Sequence, residues 1–191
     1  MTAEEFLERA ASQIPITIER EVSIAGPAAL ELLERNPPVT LKEFIEHPDR
    51  TSEMRTFRYG HLIGAGVLPI ELARWQERFA RFRLPDDLGR LLLRANGIQL
   101  WADLDTRHSY FRLLPLDQWS DVALAPLADV FETVPPAALV ISDADDFAGF
   151  AVLDTTGPEY IWCDPIAGPE RIGSSVDDLL TYWWRYCSLE P

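Results

Sequence analysis

The segment FAGFAVLD, residues 147–154, constrains the fold more than any other stretch of the chain. Side chains of an extended segment alternate between two faces, and here both alternating sets are apolar: Phe147, Gly149, Ala151 and Leu153 on one side, Ala148, Phe150 and Val152 on the other. Such a strand must be covered on both faces. Around it lie other short β-rich runs separated by turn residues: IQLW (98–101), SYFRLL (109–114), AALVIS (137–142) and EYIWCD (159–164). That is the pattern of an antiparallel sheet.

Helical signals flank these runs. Thr2 and Glu5 have capping-box spacing at the head of TAEEFLERAAS, and Thr40 and Glu43 repeat it before LKEFIEH. Between them IPITIEREVSI reads as an extended segment, and GPAALELLERNPP as a helix opened by Pro27 and closed by Asn36 and two prolines. HPDRTSEMRTFRYGHLIGAG (47–66) has no sustained period and reads as a loop holding one strand at most. In PIELARWQERFARF, Leu72, Trp75, Phe79 and Phe82 recur at helical spacing. LPDDLGRLLLRANG places Asp86 and Asp87 at the positive helix end, Arg90 and Arg94 near the negative end, and Asn96-Gly97 as the stop. SVDDLLTYWWRYC carries Val176, Leu179, Leu180, Trp183 and Cys187 on one stripe, with Ser174 or Ser175 as the cap. Trp183 and Trp184 cannot both face inward from that helix.

With 191 residues, 47% of them hydrophobic, the chain is long enough for one main core. Its net charge of -14 is unevenly spread. Residues 1–100 hold 15 acidic and 13 basic side chains, whereas residues 101–191 hold 16 acidic and 4 basic. An anionic half repels nucleic acid and acidic membranes and speeds encounter with a basic protein. Taken alone, the charge reads first as that of a domain kept dispersed by its acidic side chains, ahead of a partner-attracting surface. No run is long and apolar enough to span a membrane, and MTAEEFLERAAS lacks the basic-then-apolar layout of a secretory signal, so a cytoplasmic address is expected.

Chemistry-bearing constellations are sparse. Cys163 and Cys187 are far apart with no further ligand at zinc spacing, and both read as buried thiols. His47, His61 and His108 are dispersed and belong to no nucleophile signature. GHLIGAG lacks the Lys-Ser/Thr ending and the spacing of a phosphate loop. No catalytic residue, metal site or cofactor is predicted. In DADDFAGF, Asp143 and Asp145 have the alternation of a Ca²⁺ loop but no distal Glu follows, so Asp143, Asp145 and Asp146 read as a solvated acidic turn or as part of a partner surface.

Five pieces in order, LPDDLGRLLLRANG (84–97), YFRLLPLDQW (110–119), ISDADDFAGFAVLD (141–154), EYIWCD (159–164) and SSVDDLLTYWW (174–184), resemble the SUKH superfamily, the Smi/Knr-type domains. The resemblance covers roughly residues 69–187. It implies an α+β fold, a twisted antiparallel sheet flanked by helices, over 69–191. Residues 1–68 then form a mainly helical N-terminal extension packed on that domain, as a subdomain, a lid or part of a partner surface.

Many bacterial members of the superfamily are immunity proteins that bind and neutralise a cognate toxin, and others are scaffolds or regulators. The resemblance therefore implies a non-enzymatic binding protein whose partner is a cognate toxin or another basic protein, with a regulatory scaffold as the alternative. The residues expected to meet the partner are Asp143, Asp145, Asp146, Asp103, Asp105, Trp101 and Asp117. The irregular segment from Trp119 to Ala137 is a further candidate.

Overall fold

The structure is a computed structural model that describes residues 1–34, 40–107, 109, 111–121, 137–143, 150–164 and 168–187. In chain order its elements are α1 (Ala3–Ser12), β1 (Ile16–Ala25), α2 (Pro27–Glu31) with a 3-10 turn (Leu32–Glu34), α3 (Leu41–Ile45) and β2 (Arg50–Ala65). Next come α4 (Pro69–Arg78), α5 (Asp86–Leu92), β3 (Ala95–Asp103), β4 (Phe111–Leu113), a 3-10 turn (Leu116–Gln118) and β5 (Ser120–Asp121). The chain closes with β6 (Ala138–Val140), β7 (Ser142–Asp143), β8 (Phe150–Asp154), β9 (Glu159–Asp164), β10 (Gly168–Gly173) and α6 (Val176–Cys187). The class is α+β with antiparallel sheets and an N-terminal helix.

Contacts divide the chain into two units, Met1–Pro15 with Tyr59–Pro191, and Ile16–Arg58. α1 and the end of β2 group with the larger unit. The smaller unit pairs β1 with the first part of β2. In it the Asp49 carboxylate accepts the Ala28 and Ala29 N–H groups at 2.8 and 3.2 Å, serving the start of α2. Ala29 is fully buried, whereas Leu30, Ile45 and Met54 are each more than half exposed. The segment expected to be largely loop is instead the sixteen-residue strand β2. Its first half is almost wholly exposed, so no apolar alternation marks it in the sequence.

In the larger unit the end of β2, then β3, β4 and β7 form one antiparallel sheet, and β10, β9, β8, β6 and β5 form another in that order. The chain crosses between them at Ile141, whose N–H donates to the Ala151 carbonyl at 3.0 Å while its own carbonyl accepts the Leu114 N–H at 2.9 Å. The double coverage expected of the central strand is present in β8. Ala151 and Leu153 join the main core, and Val152 joins a separate cluster with Ala138, Val140, Ile161 and Cys163. Phe147, Ala148 and Gly149 lie outside the described residues.

Helices close the main core with Phe6 from α1, Trp75 from α4, Leu88, Leu91 and Leu92 from α5, and Val176, Leu179, Leu180 and Trp183 from α6. Trp184, next to the buried Trp183, packs edge-on against Phe6 at 5.6 Å. α4 stops at Arg78, short of its apolar stripe, but Phe82 is buried all the same. Asn96-Gly97 does not end α5. The helix closes at Leu92, and Asn96 and Gly97 already belong to β3. Asn96 Oδ1 accepts the Leu116 N–H at 2.7 Å, and Gly97, at φ +91°, packs against Pro115. A Cβ on Gly64 or Gly66 would fall 2.1 Å from the carbonyl oxygen of Asn96 or Leu93, so these glycines serve close backbone packing.

Candidate functional site

The end of β3 is irregular. In the β2–β3 ladder Gly60 pairs with Ala102 and Leu62 with Gln99, so His61 alone faces both Leu100 and Trp101. This is a β-bulge, with Trp101 in the left-handed region at φ +50°. The bulged Trp101 N–H donates to His61 Nδ1 at 3.0 Å, and the two rings meet edge-on at 4.5 Å. Nδ1 is therefore the acceptor, and the proton of neutral His61 sits on Nε2, which is buried and has no partner among the described residues. Burial lowers the His61 pKa.

Two residues after Trp101 the chain turns on Asp103. Its Oδ1 accepts the Asp105 N–H at 3.0 Å, and its carbonyl accepts the Arg107 N–H at 2.7 Å. Asp103 is 9% exposed, so its carboxylate shapes the turn, whereas Asp105 stands exposed at the tip. Arg107 leaves the turn at φ +62°.

Beside this turn the outer face of the sheet forms a groove of about 350 Å³. Asn96, Gln99, Arg107, Arg112 and Gln118 supply its polar lining. Gln99 pairs with Arg112 across β3 and β4, and Arg112 pairs with Asp143 across β4 and β7, so the three occupy one row of the sheet. The Gln99 side-chain carbonyl is buried and has no hydrogen-bond partner among the described residues. The sequence reading passed over this groove. Its available signal was that two of the four basic residues of the anionic half, Arg107 and Arg112, lie five positions apart around the β3–β4 connection.

Of the residues expected to meet a partner, Trp101, Asp103 and Asp105 share the bulge and its turn, and Asp117 is exposed in the 3-10 turn after β4. That turn is held by Trp119, whose Nε1 donates to the Leu114 carbonyl at 2.8 Å. Asp143 is placed by its backbone in β7, while Asp145 and Asp146 lie outside the described residues, as do His108 and most of the segment from Trp119 to Ala137. His47 Nδ1 accepts the Asp49 N–H at 3.1 Å, in the smaller unit. Burial pushes the Cys163 thiol up to about 12, so it is protonated and unreactive at neutral pH. Among the described residues no three His, Cys, Asp or Glu side chains converge as metal ligands, and no helix is long and apolar enough to cross a membrane.

The SMI1 / KNR4 family model (SUKH-1) matches residues 66–181, from just after β2 into α6. The chain belongs to this SUKH-1 family. No curated protein matches it.

Within the SUKH-1 region several carboxylates serve the fold. Asp87 Oδ1 accepts the Leu88 N–H and its Oδ2 the Val176 N–H, at 2.8 and 2.7 Å. Asp177 Oδ1 accepts the Ala3 N–H at 2.7 Å, tying α1 to α6. Asp178 Oδ2 accepts the Ser175 hydroxyl at 2.7 Å and the Ser174 and Ser175 N–H groups, and the Ser175 hydroxyl bond leads in lowering its pKa. Asp121, almost fully buried, pairs with Arg81, and Glu159 pairs with Arg171. The SUKH-1 anion is thus partly internal, which leaves residues such as Asp105 and Asp117 to face solvent.

Proposed function

We propose that this protein is an immunity-type binding protein that neutralises a cognate bacterial toxin by forming a stoichiometric complex and covering the toxin's active site. Membership of the SUKH-1 family over residues 66–181 carries this reading. The charge supports it, since residues 101–191 hold 16 acidic and 4 basic side chains and so attract a basic partner. The inhibition is steric and electrostatic and needs no catalytic group. The partner surface comprises Asp105, Trp101 and the Asp103 turn, Asp117, and the turn carrying Asp143, Asp145 and Asp146.

Co-expression tests the reading. Cells producing a candidate cognate toxin domain should grow when the protein is supplied and stop growing when it is withheld. Growth arrest that persists despite ample folded protein would leave a regulatory scaffold as the better account.

A further inference from the structure

His61 and Trp101 form a device at the margin of the main core. The Trp101 N–H donates to His61 Nδ1 at 3.0 Å, and the residue sits at φ +50°, where a bulky side chain is held only by its surroundings. Its indole is half-buried, packed on the edge of the core and edge-on to the imidazole at 4.5 Å. Trp184 of α6 stands 5.7 Å from the same imidazole. To either side of the bulge, Gly60 pairs with Ala102 and Leu62 with Gln99, so the ladder holds both strands whatever the bulged residue does.

The closed bulge has no place for a second proton on the ring. Nδ1 is taken as acceptor, and the hydrogen on Nε2 has no partner among the described residues. A proton added at Nδ1 would meet the Trp101 N–H donor to donor. Charged neighbours do not relieve this conflict. β2 brings Tyr59 and β3 brings Asp103, its partner in the ladder, whose Oδ1 accepts the Asp105 N–H. α6 carries the exposed Arg185 next to Trp184, and α1 reaches the cluster with the apolar Phe6. None of these groups bonds to a ring nitrogen of His61, and burial is what lowers its pKa.

We propose that His61 is a proton-operated latch on Trp101: the neutral ring holds the bulge closed, and a proton taken from solvent at Nδ1 frees the Trp101 N–H and lets the indole turn to water while both sheets stay folded. Opening and proton uptake are one equilibrium. A histidine in the open bulge titrates near its ordinary value of about 6.5, whereas the closed bulge takes the proton only at lower pH, so the open fraction rises by up to about tenfold per pH unit below that value. Trp101 belongs to the partner surface proposed above, and the consequence that acid weakens this surface rests on that reading, whereas the latch itself does not.

Amide hydrogen exchange of the free full-length protein, followed by NMR between about pH 7 and 5 where an ordinary histidine titrates, tests the latch with no partner present. The protection factor of the Trp101 N–H, which already corrects for the intrinsic pH dependence of exchange, should fall by close to tenfold per pH unit, starting near pH 6.5. The Leu114 and Ile141 N–H groups, bonded at 2.9 and 3.0 Å where the chain crosses between the sheets, should keep theirs. His61→Asn sets Oδ1 as many bonds from the backbone as Nδ1 and cannot titrate, so Trp101 protection in that variant should stay level. A level profile in the parent, an equal fall at Leu114 and Ile141, or a fall that begins only below about pH 5, towards the carboxylate range, would each overturn the latch. So would a fall that persists in His61→Asn with parental circular dichroism. The parent decides alone if that variant does not fold, because the slope, its onset and the two reference amides need no variant.

Discussion

The carboxylate of Asp87 accepts the Val176 N–H at 2.7 Å, across 89 positions of sequence. One residue in the first turn of α5 thus caps the first turn of α6 and, through Leu88, its own helix. Asp87→Ala leaves both N–H groups unsatisfied, and the loss of a cap of this kind costs about 1–2 kcal/mol. Asp86 is exposed and makes no such bond, so Asp86→Ala should stay within about 0.5 kcal/mol of the parent. Urea denaturation of the two variants side by side checks the contrast.

The His61 bond to Trp101 predicts a pH dependence. Burial lowers the folded-state pKa of His61 below its ordinary value of 6.5, so the folded protein favours the neutral ring while the unfolded chain takes up a proton more readily. The stability His61 contributes is present above that ordinary value and is lost as pH falls through the folded pKa. Protonation also removes the Nδ1 acceptor that the Trp101 N–H uses. His61→Gln keeps an acceptor and removes the titration, so its stability should change less than the parent's between pH about 7 and 5, the span in which an ordinary histidine titrates. Parallel curves for the two proteins would contradict the assignment.

Leu91 and Trp183 are 2% and 1% exposed in the main core. Truncating either side chain to alanine should destabilise the fold by about 2–5 kcal/mol, the range for buried large-to-small changes. Thermal melts read this directly, and an unchanged melting temperature would mean that the residue does not pack as described.

Changing Asp143, Asp145 and Asp146 together to Asn keeps size and removes charge. A solvated turn loses little stability in this way, within about 0.5 kcal/mol per site. If the turn meets a basic toxin, the triple variant binds it more weakly and protects cells less while melting close to the parent. Added Ca²⁺ should raise the melting temperature of neither protein, since only a ligand bound by the native state would do so.

Local signals were the legible part of this chain. Thr2 with Glu5 and Thr40 with Glu43 close both bonds of their capping boxes, as their spacing foretold. The α6 stripe is buried from Val176 to Trp183, and the central strand is covered on both faces. What escaped reading depends on residues distant in sequence. Asn96-Gly97 looks like a helix stop but belongs to a strand, because Leu116 takes the Asn96 side chain and Pro115 packs on Gly97. The first half of β2 is exposed and shows no apolar alternation, and the second half takes its register from pairing with β3. Asp87 reads as a helix-dipole residue, and its bond to Val176 exists only once α5 and α6 are brought together. The polar groove is likewise assembled from β2, β3, β4 and the turn that follows, so no single motif announces it.

The most direct measurement of the central claim is a titration of the purified toxin's activity with this protein, accompanied by the mass of the resulting complex. Neutralisation by occlusion predicts activity that falls linearly to zero at one equivalent, a one-to-one complex, and an association rate that drops steeply as salt shortens the Debye length below about 10 Å. Full toxin activity in the presence of an equimolar amount of folded protein would contradict it.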